Sequence, residues 1–160
     1  ITYNIVGAFL HTLRELIGDV AFWKGVNLYL TRHKFKTVET PDLQKAMEEA
    51  SKTDLDWFFK QWVYGTGFPK LEINQVYDVK TKTLKLTVNQ TLKPDATTPE
   101  VFTLPLQIEI KTAKETKAEK LEINKRTQEF SIKLNEKPVE MEIDKGEKIP
   151  LKTIKINALK

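Results

Sequence analysis

TDLDWFFKQWVYGTGFP, residues 53–69, divides the chain into two patterns: the residues before it read as helix and those after it as strand. Leu55, Phe58, Phe59 and Trp62 recur at i, i+3, i+4 and i+7, one apolar stripe of an α-helix. At this spacing the aromatics read as core rather than as a ligand platform. Thr53 is placed to cap the helix, with Asp54 and Asp56 in its positive first turn. Gly65 and Gly67 give the backbone freedom to leave the helix, and Pro69 forbids its continuation while biasing Phe68 toward an extended conformation. The stretch predicts a joint between two unlike modules.

Upstream, residues 3–17 (YNIVGAFLHTLRELI) are apolar nearly all round, the pattern of a helix buried against several neighbours. Gly18 suits a left-handed C-terminal position and Asp19 a cap for the next helix, which carries Phe22, Val26, Tyr29 and Leu30 on one side. These two helices predict a hairpin. Thr40-Pro41-Asp42 is a helix start, followed by a buried face of Leu43, Ala46, Met47 and Ala50. Four helices in so little chain carry more apolar surface than they can cover among themselves, so part of it is expected to pack on segments outside this chain.

Downstream the period becomes two. Leu71/Ile73, Leu84 to Val88, Phe102 to Ile110, Leu121/Ile123, Phe130 to Leu134, Val139 to Ile143 and Leu151 to Ile156 each alternate as a strand with one buried face. Breaks such as Lys93-Pro94-Asp95 and Asp144-Lys145-Gly146 separate them, and this spacing favours an immunoglobulin-like antiparallel sandwich over a barrel. Pro105 argues for an edge or a bulge in the third strand. The fold class is therefore α+β by segregated domains, with helices in 1–68 and a β-sandwich in 69–160.

The bulk numbers agree with that division. In 160 residues 40% are apolar, enough for a core in one domain or two, and no apolar run approaches a membrane span. The first residues already read as the inside of a helix, so the N-terminus is expected to be a cut that would have removed any export signal. The net charge of +4 lies entirely after residue 68, where 18 Lys/Arg face 14 Asp/Glu against 8 and 8 before it. Those lysines are spread along alternating strands with few aromatics among them, a solvated face rather than a nucleic-acid surface. With no cysteine, disulfides and thiolate metal sites are excluded.

Little of the chain reads as chemistry. His11 and Glu15 share a helix face at i, i+4, the spacing of two metal ligands. The plainer reading is a hydrogen-bonded core histidine beside a surface acid, because a catalytic zinc wants three protein ligands and His33 lies far along the chain. No HExxH, phosphate-cradling glycine loop or nucleophile elbow occurs. Asn89-Gln90-Thr91 fits a glycosylation sequon, a short match at a strand end, and Asp54 and Asp56 read as helix-start acids rather than an acid/base pair.

The order of segments resembles one family throughout. Tyr3-Asn4, Leu10-His11-Thr12-Leu13-Arg14, Ile17-Gly18-Asp19 and Phe22 resemble the pattern Y-x-K-G-A-x-x-L-H-x-L-R-x-x-x-G-D-x-x-F of the zinc aminopeptidases related to alanyl aminopeptidase and leukotriene A4 hydrolase, the gluzincin metallopeptidases. Tyr29 with His33-Lys34-Phe35 is similar to the family's Y-x-x-x-H-x-F. Asp54 to Phe59, Gln61, Trp62, Gly67 and Pro69 are similar to its D-L-x-x-F-F-x-Q-W and G-x-P. Gln90-Thr91, Phe102 to Leu106, and Pro138 with Ile143-Asp144 resemble its β-sandwich.

The resemblance implies that 1–68 are the last helices of a thermolysin-like catalytic domain and that 69–160 are the sandwich after it. It further implies a parent in which zinc, bound upstream of this chain, and a glutamate activate water against the N-terminal bond of a peptide substrate. The upstream catalytic domain would then pack on these helices. Alignment on His11 places Tyr3 at the family's catalytic tyrosine, a phenol of pKa about 10 that stays protonated at neutral pH and can donate to an oxyanion. Outside that frame Tyr3 is an ordinary helix-start tyrosine. Ile5-Val6 stand where the family has Lys-Gly, which keeps open a non-catalytic scaffold of the same fold. A third reading makes the sandwich a carbohydrate- or protein-binding module, against which no aromatic cluster is evident on the strands.

Overall fold

A computed structural model describes residues 2–149 and 153–159, with side chains from residue 6 onward, and it divides into two compact units, 1–66 and 67–160. The first unit holds α1 (Thr2–Ile17), α2 (Asp19–Arg32), α3 (Thr40–Ser51) and a short α4 (Asp56–Phe59). Its core is Phe9, Leu13, Phe22, Met47, Leu55, Phe58 and Phe59, with the Phe9 ring 5.4 Å from that of Phe58 and 5.3 Å from that of Phe59. Each of these side chains contributes about 1.5–3 kcal/mol by leaving water. Gly25 lets α2 approach α3 closely: a Cβ there would fall 2.5 Å from Met47 Sδ and 3.2 Å from Met47 Cα.

The helix ends differ from the sequence expectation because side chains found other partners. Gly18 has φ 82° and ψ 158°, an extended conformation reserved for glycine rather than the left-handed helical one. Asp19 does not cap α2; its carboxylate accepts two bonds from the Arg14 guanidinium at 2.8 and 2.7 Å. At α3 the cap is Glu39, one residue before Thr40, and the Asp42 carboxylate accepts from the Glu39 N–H at 3.0 Å.

The largest departure lies in the stretch that divides the chain. Thr53 caps nothing; its hydroxyl donates to the Ser51 carbonyl, and α4 begins only at Asp56. After a single turn the helix widens into a π-helical turn, Lys60–Tyr64. Gly65 ends it, at a place where a Cβ would lie 2.7 Å from the Gln61 carbonyl oxygen.

The second unit is an immunoglobulin-like β-sandwich of seven described strands: β1 (Lys70–Asp78), β2 (Thr83–Gln90), β3 (Leu104–Lys111), β4 (Thr116–Ile123), β5 (Thr127–Lys133), β6 (Glu140–Ile143) and β7 (Thr153–Ile156). One sheet runs β5-β2-β1-β7 and the other β4-β3-β6. All pairs are antiparallel except β1 with β7, which runs parallel in the register Lys70 to Thr153. Leu151, expected in the last strand, lies outside the described residues. The strict alternation of β3 buries Leu104, Leu106, Ile108 and Ile110 on the inner face.

Pro105 lies on the central strand of its sheet, not on an edge strand. The Gln107 carbonyl accepts from the Asp144 N–H, so the backbone groups of odd-numbered β3 residues face β6. The pairing of β6 stops at Ile108, leaving Pro105 beyond its end, where a missing N–H costs no ladder bond.

One buried polar side chain joins the sheets. Gln90, at the end of β2, donates Nε2 to the Phe102 carbonyl at 2.8 Å and to the Lys125 carbonyl at 3.3 Å. Its Oε1 accepts from the Phe102 N–H at 2.9 Å. Asn89 beside it, the sequon residue, accepts from the Thr127 hydroxyl across the strand pair. The β4 edge is blunted by Lys117, half-buried, whose ammonium pairs with Glu119 at 2.9 Å and reaches the Lys133 carbonyl of β5. Elsewhere the lysines of the sandwich pair with acids, as in Lys111–Glu140, Lys145–Glu109 and Lys155–Glu72.

Candidate functional site

Every residue singled out for chemistry in the helical unit can be placed except one. Tyr3 stands in the first turn of α1, but its side chain lies outside the described residues. What is described is the helix that carries it: Phe9 and Leu13 of α1 are buried in the core, and within the helix the Thr12 hydroxyl donates to the Ala8 carbonyl at 2.9 Å.

His11 is exposed rather than in the core, because its position on α1 falls opposite the buried stripe of Phe9 and Leu13. Glu15, one turn on, is half-buried. His33 ends α2 and stacks at 5.5 Å on Tyr29. The histidines do not meet each other with a carboxylate.

Among the described residues the group of three possible metal-ligating side chains is Glu48, Asp54 and Asp56, whose oxygens lie within 4.8 Å of one another. Asp54 and Asp56 read from the sequence as helix-start acids; that Glu48, from the far end of α3, joins them is visible only in the fold. Their oxygens serve the start of α4. Glu48 accepts from the Leu55 N–H at 2.9 Å and from Gln44 Nε2 at 3.0 Å, Asp54 accepts from the Asp56 N–H at 2.9 Å, and Asp56 accepts from Gln44 Nε2. A purely carboxylate set without imidazole does not fit zinc, which takes histidine, cysteine and carboxylate in a tetrahedron.

Among the described residues a groove of about 610 Å³, within the range of small-ligand sites, opens on this unit. Phe9, Leu43 and Trp62 line it with Val6, Val38 and Val63, and Tyr29, Glu39 and Thr40 supply the polar groups. Val6 is 50% exposed and sits one turn along α1 from Tyr3. The bulk that replaces the family's glycine therefore projects into the groove rather than against a packed neighbour. The π-helical turn brings Trp62 and Val63 to the same groove. No periodicity could have announced it; the nearest signal was Gly65, which the wide turn needs.

Two surface pairs brace the helices. The Arg32 guanidinium, at the end of α2, donates to both oxygens of Glu49 on α3 at 2.7 and 2.9 Å and holds that carboxyl below the usual carboxylate range. The Arg14 guanidinium, raised by its bonds to Asp19, also lies 5.5 Å from the Trp23 ring.

Similarity to known proteins divides at the same place. Residues 1–62 match the model described as "Peptidase family M1 domain", and residues 67–143 match "Domain of unknown function (DUF3458) Ig-like fold". The chain is 36% identical over 110 residues to aminopeptidase N of Haemophilus influenzae, covering 68% of this chain and 12% of that protein. It is 32% identical over 82 residues to human glutamyl aminopeptidase, covering 51% and 9%. Among solved structures it superposes on Legionella pneumophila aminopeptidase A, in complex with aspartic acid, with a TM-score of 0.79 at 16% identity, over 95% of this chain and 17% of that one. The chain thus spans about an eighth of the Haemophilus relative.

Proposed function

We propose, for a chain that belongs to peptidase family M1, that it is the end of the catalytic domain and the following sandwich of a zinc-dependent aminopeptidase, with Tyr3 as its contribution to the reaction. Residues 1–68 are the last helices of the catalytic domain in this reading, and 69–160 the supporting sandwich. The observation that carries it is the match of residues 1–62 to the peptidase domain; Tyr3 lies in the first turn of α1, a helix anchored by a buried core.

Zinc is the metal of this family. The donor set of the described residues does not suit it, so in this reading it is held by residues outside the chain. What the chain supplies is a neutral phenol. Near pH 7 a tyrosine with an ordinary pKa of about 10 keeps its proton and can only donate. In this reading its O–H donates to the peptide carbonyl oxygen, which gains negative charge as the carbon becomes tetrahedral. A donor placed where charge develops stabilises the transition state more than the ground state, by about 3 kcal/mol. Mounting it on a helix that packs into the core through Phe9 and Leu13 limits its drift from that geometry.

The test is the full-length protein and its Tyr3→Phe variant on aminoacyl p-nitroanilides. Removing the hydroxyl is expected to lower kcat about 100- to 1,000-fold while leaving KM within a small factor. Equal activity in the two proteins removes the assignment of Tyr3. No hydrolysis by the native protein with zinc supplied selects the non-catalytic scaffold, a reading favoured by Val6 in the place of the family's glycine.

A further inference from the structure

The two edges of the larger sheet are held in different ways. At one edge β5 runs antiparallel to β2 from Thr127 to Lys133 and buries Ile132. At the other, β7 pairs with β1 only from Thr153 to Ile156, in the parallel course, which is slightly less stable per residue. None of the β7 side chains is buried: Ile154 is half-buried, Ile156 is 40% exposed, and Thr153 and Lys155 are exposed.

What β7 lacks in burial it has in one polar residue just beyond its end. Four described hydrogen bonds join Asn157 to β1. Its N–H donates to the Ile73 carbonyl at 2.9 Å, and its Nδ2 donates to Glu72 Oε1 at 3.0 Å and to Asn74 Oδ1 at 2.6 Å. Its carbonyl accepts from Gln75 Nε2 at 3.0 Å. The Lys155 ammonium also reaches Glu72, at 3.2 Å, but an exposed ion pair of that kind adds little. Ahead of the strand, Ile149 is buried and its N–H donates to Asp144 Oδ2 at 3.0 Å, a separate attachment.

We propose that β7 is a latch strand: it leaves the edge of β1 as a unit while the rest of the sandwich stays folded, with Asn157 as the catch. Segments with few buried apolar contacts and a ladder at the surface open at a cost below that of global unfolding. Release of β7 takes no buried side chain out of the core, so its hold is set by hydrogen bonds, and those are concentrated at Asn157. The anchor at Ile149 stays in place when the strand opens. Opening frees the residues after it from the sandwich and uncovers the β1 groups that faced it. The Thr153 N–H donates to the Pro69 carbonyl and the Asn157 N–H to that of Ile73, so the backbone groups of Leu71 and Ile73 face β7. Those of Glu72 and Asn74 face β2, on the side where the Lys70 carbonyl accepts from the Thr91 N–H. Adjacent amides of one strand therefore report on different neighbours. The latch is independent of any peptidase activity.

The experiment is residue-resolved amide exchange of the full-length protein, by mass spectrometry with electron-transfer fragmentation, in the native chain and in Asn157→Ala. In the native protein Leu71 and Ile73 are expected to exchange about 10-fold or more faster, relative to their intrinsic rates, than Glu72 and Asn74, and with little dependence on dilute urea. Asn157→Ala, which removes both Nδ2 bonds, should speed Leu71 and Ile73 a further ~10- to 100-fold and leave Glu72 and Asn74 unchanged. Equal protection of the four amides in the native protein, lost together as urea is added, overturns the proposal, because β7 then opens only when the sandwich unfolds. A uniform acceleration of all four in Asn157→Ala, or none at Leu71 and Ile73, overturns it as well. The native comparison uses no substitution, so it decides the matter even where Asn157→Ala does not fold.

Discussion

Gln90→Leu is the sharpest perturbation of the sandwich, because one buried side chain holds both backbone groups of Phe102. Gln90 is 3% exposed, and its two short bonds, 2.8 Å to the Phe102 carbonyl and 2.9 Å from the Phe102 N–H, join the end of β2 to the segment that leads into β3 of the other sheet. Leucine replaces the volume and removes both bonds. Losing a hydrogen-bond partner at a buried group costs about 1–3 kcal/mol, so two such losses come to about 2–6 kcal/mol. For a urea slope of about 2 kcal/mol/M the midpoint of the sandwich should fall by about 1–3 M. All three tryptophans, Trp23, Trp57 and Trp62, belong to the helical unit, so far-UV circular dichroism near the strand minimum is the better probe. Amide exchange at Phe102 should accelerate in the same variant, since Oε1 of Gln90 protects that N–H. A loss below about 0.5 kcal/mol, or unchanged exchange at Phe102, would refute the role of the clamp.

Gly25→Ala places a methyl group 2.5 Å from Met47 Sδ and 3.2 Å from its Cα, so α2 and α3 must part. The expected cost is about 1–3 kcal/mol, partly recovered in a Met47→Ala background; a strictly additive double mutant would contradict the contact. Acid should unfold the sandwich through its turn carboxylates. Asp95 is held below the usual carboxylate range first by the Thr97 N–H, and Asp78 first by the Thr81 N–H. Because these pKa values are lowered in the folded state, their stabilisation is present above the unfolded value of about 3.9 and is lost as pH falls below it. The melting temperature should therefore be flat from neutrality to about pH 5 and drop below about pH 4, less steeply in Asp95→Asn; a rise on acidification would contradict the sign.

How much of the fold is legible in the sequence depends on the range of each interaction. The alternation of Leu104, Leu106, Ile108 and Ile110 and the helical spacing of Leu55, Phe58 and Phe59 are set by burial along a single element. Both are readable, and so are the two modules. Choices made between elements are hidden. Asp19 gives up the cap because Arg14 offers two bonds, and Thr53 because Asp54 and Glu48 take the N–H groups at the start of α4. Pro105 on a central strand is permitted only by the early end of β6, and the parallel course of β7 has no local signature. His11 reads wrongly as core because a helix apolar nearly all round gives no direction until its neighbours are known. Nothing in the pattern after Phe59 distinguishes a π-helical turn from an α-helical one. Of the candidate site, the family pattern supplies Tyr3 and the core supplies its mounting, whereas the groove beside Val6 needs α1, α2, α3 and the π-helical turn together.

The central claim is that this chain furnishes an oxyanion donor to an aminopeptidase. Single-turnover and steady-state hydrolysis of an aminoacyl p-nitroanilide by the full-length protein, native against Tyr3→Phe, addresses it most directly. The chemical step is expected to slow about 100- to 1,000-fold with substrate binding nearly unchanged. A Tyr3→Phe protein that turns over at the native rate would contradict it.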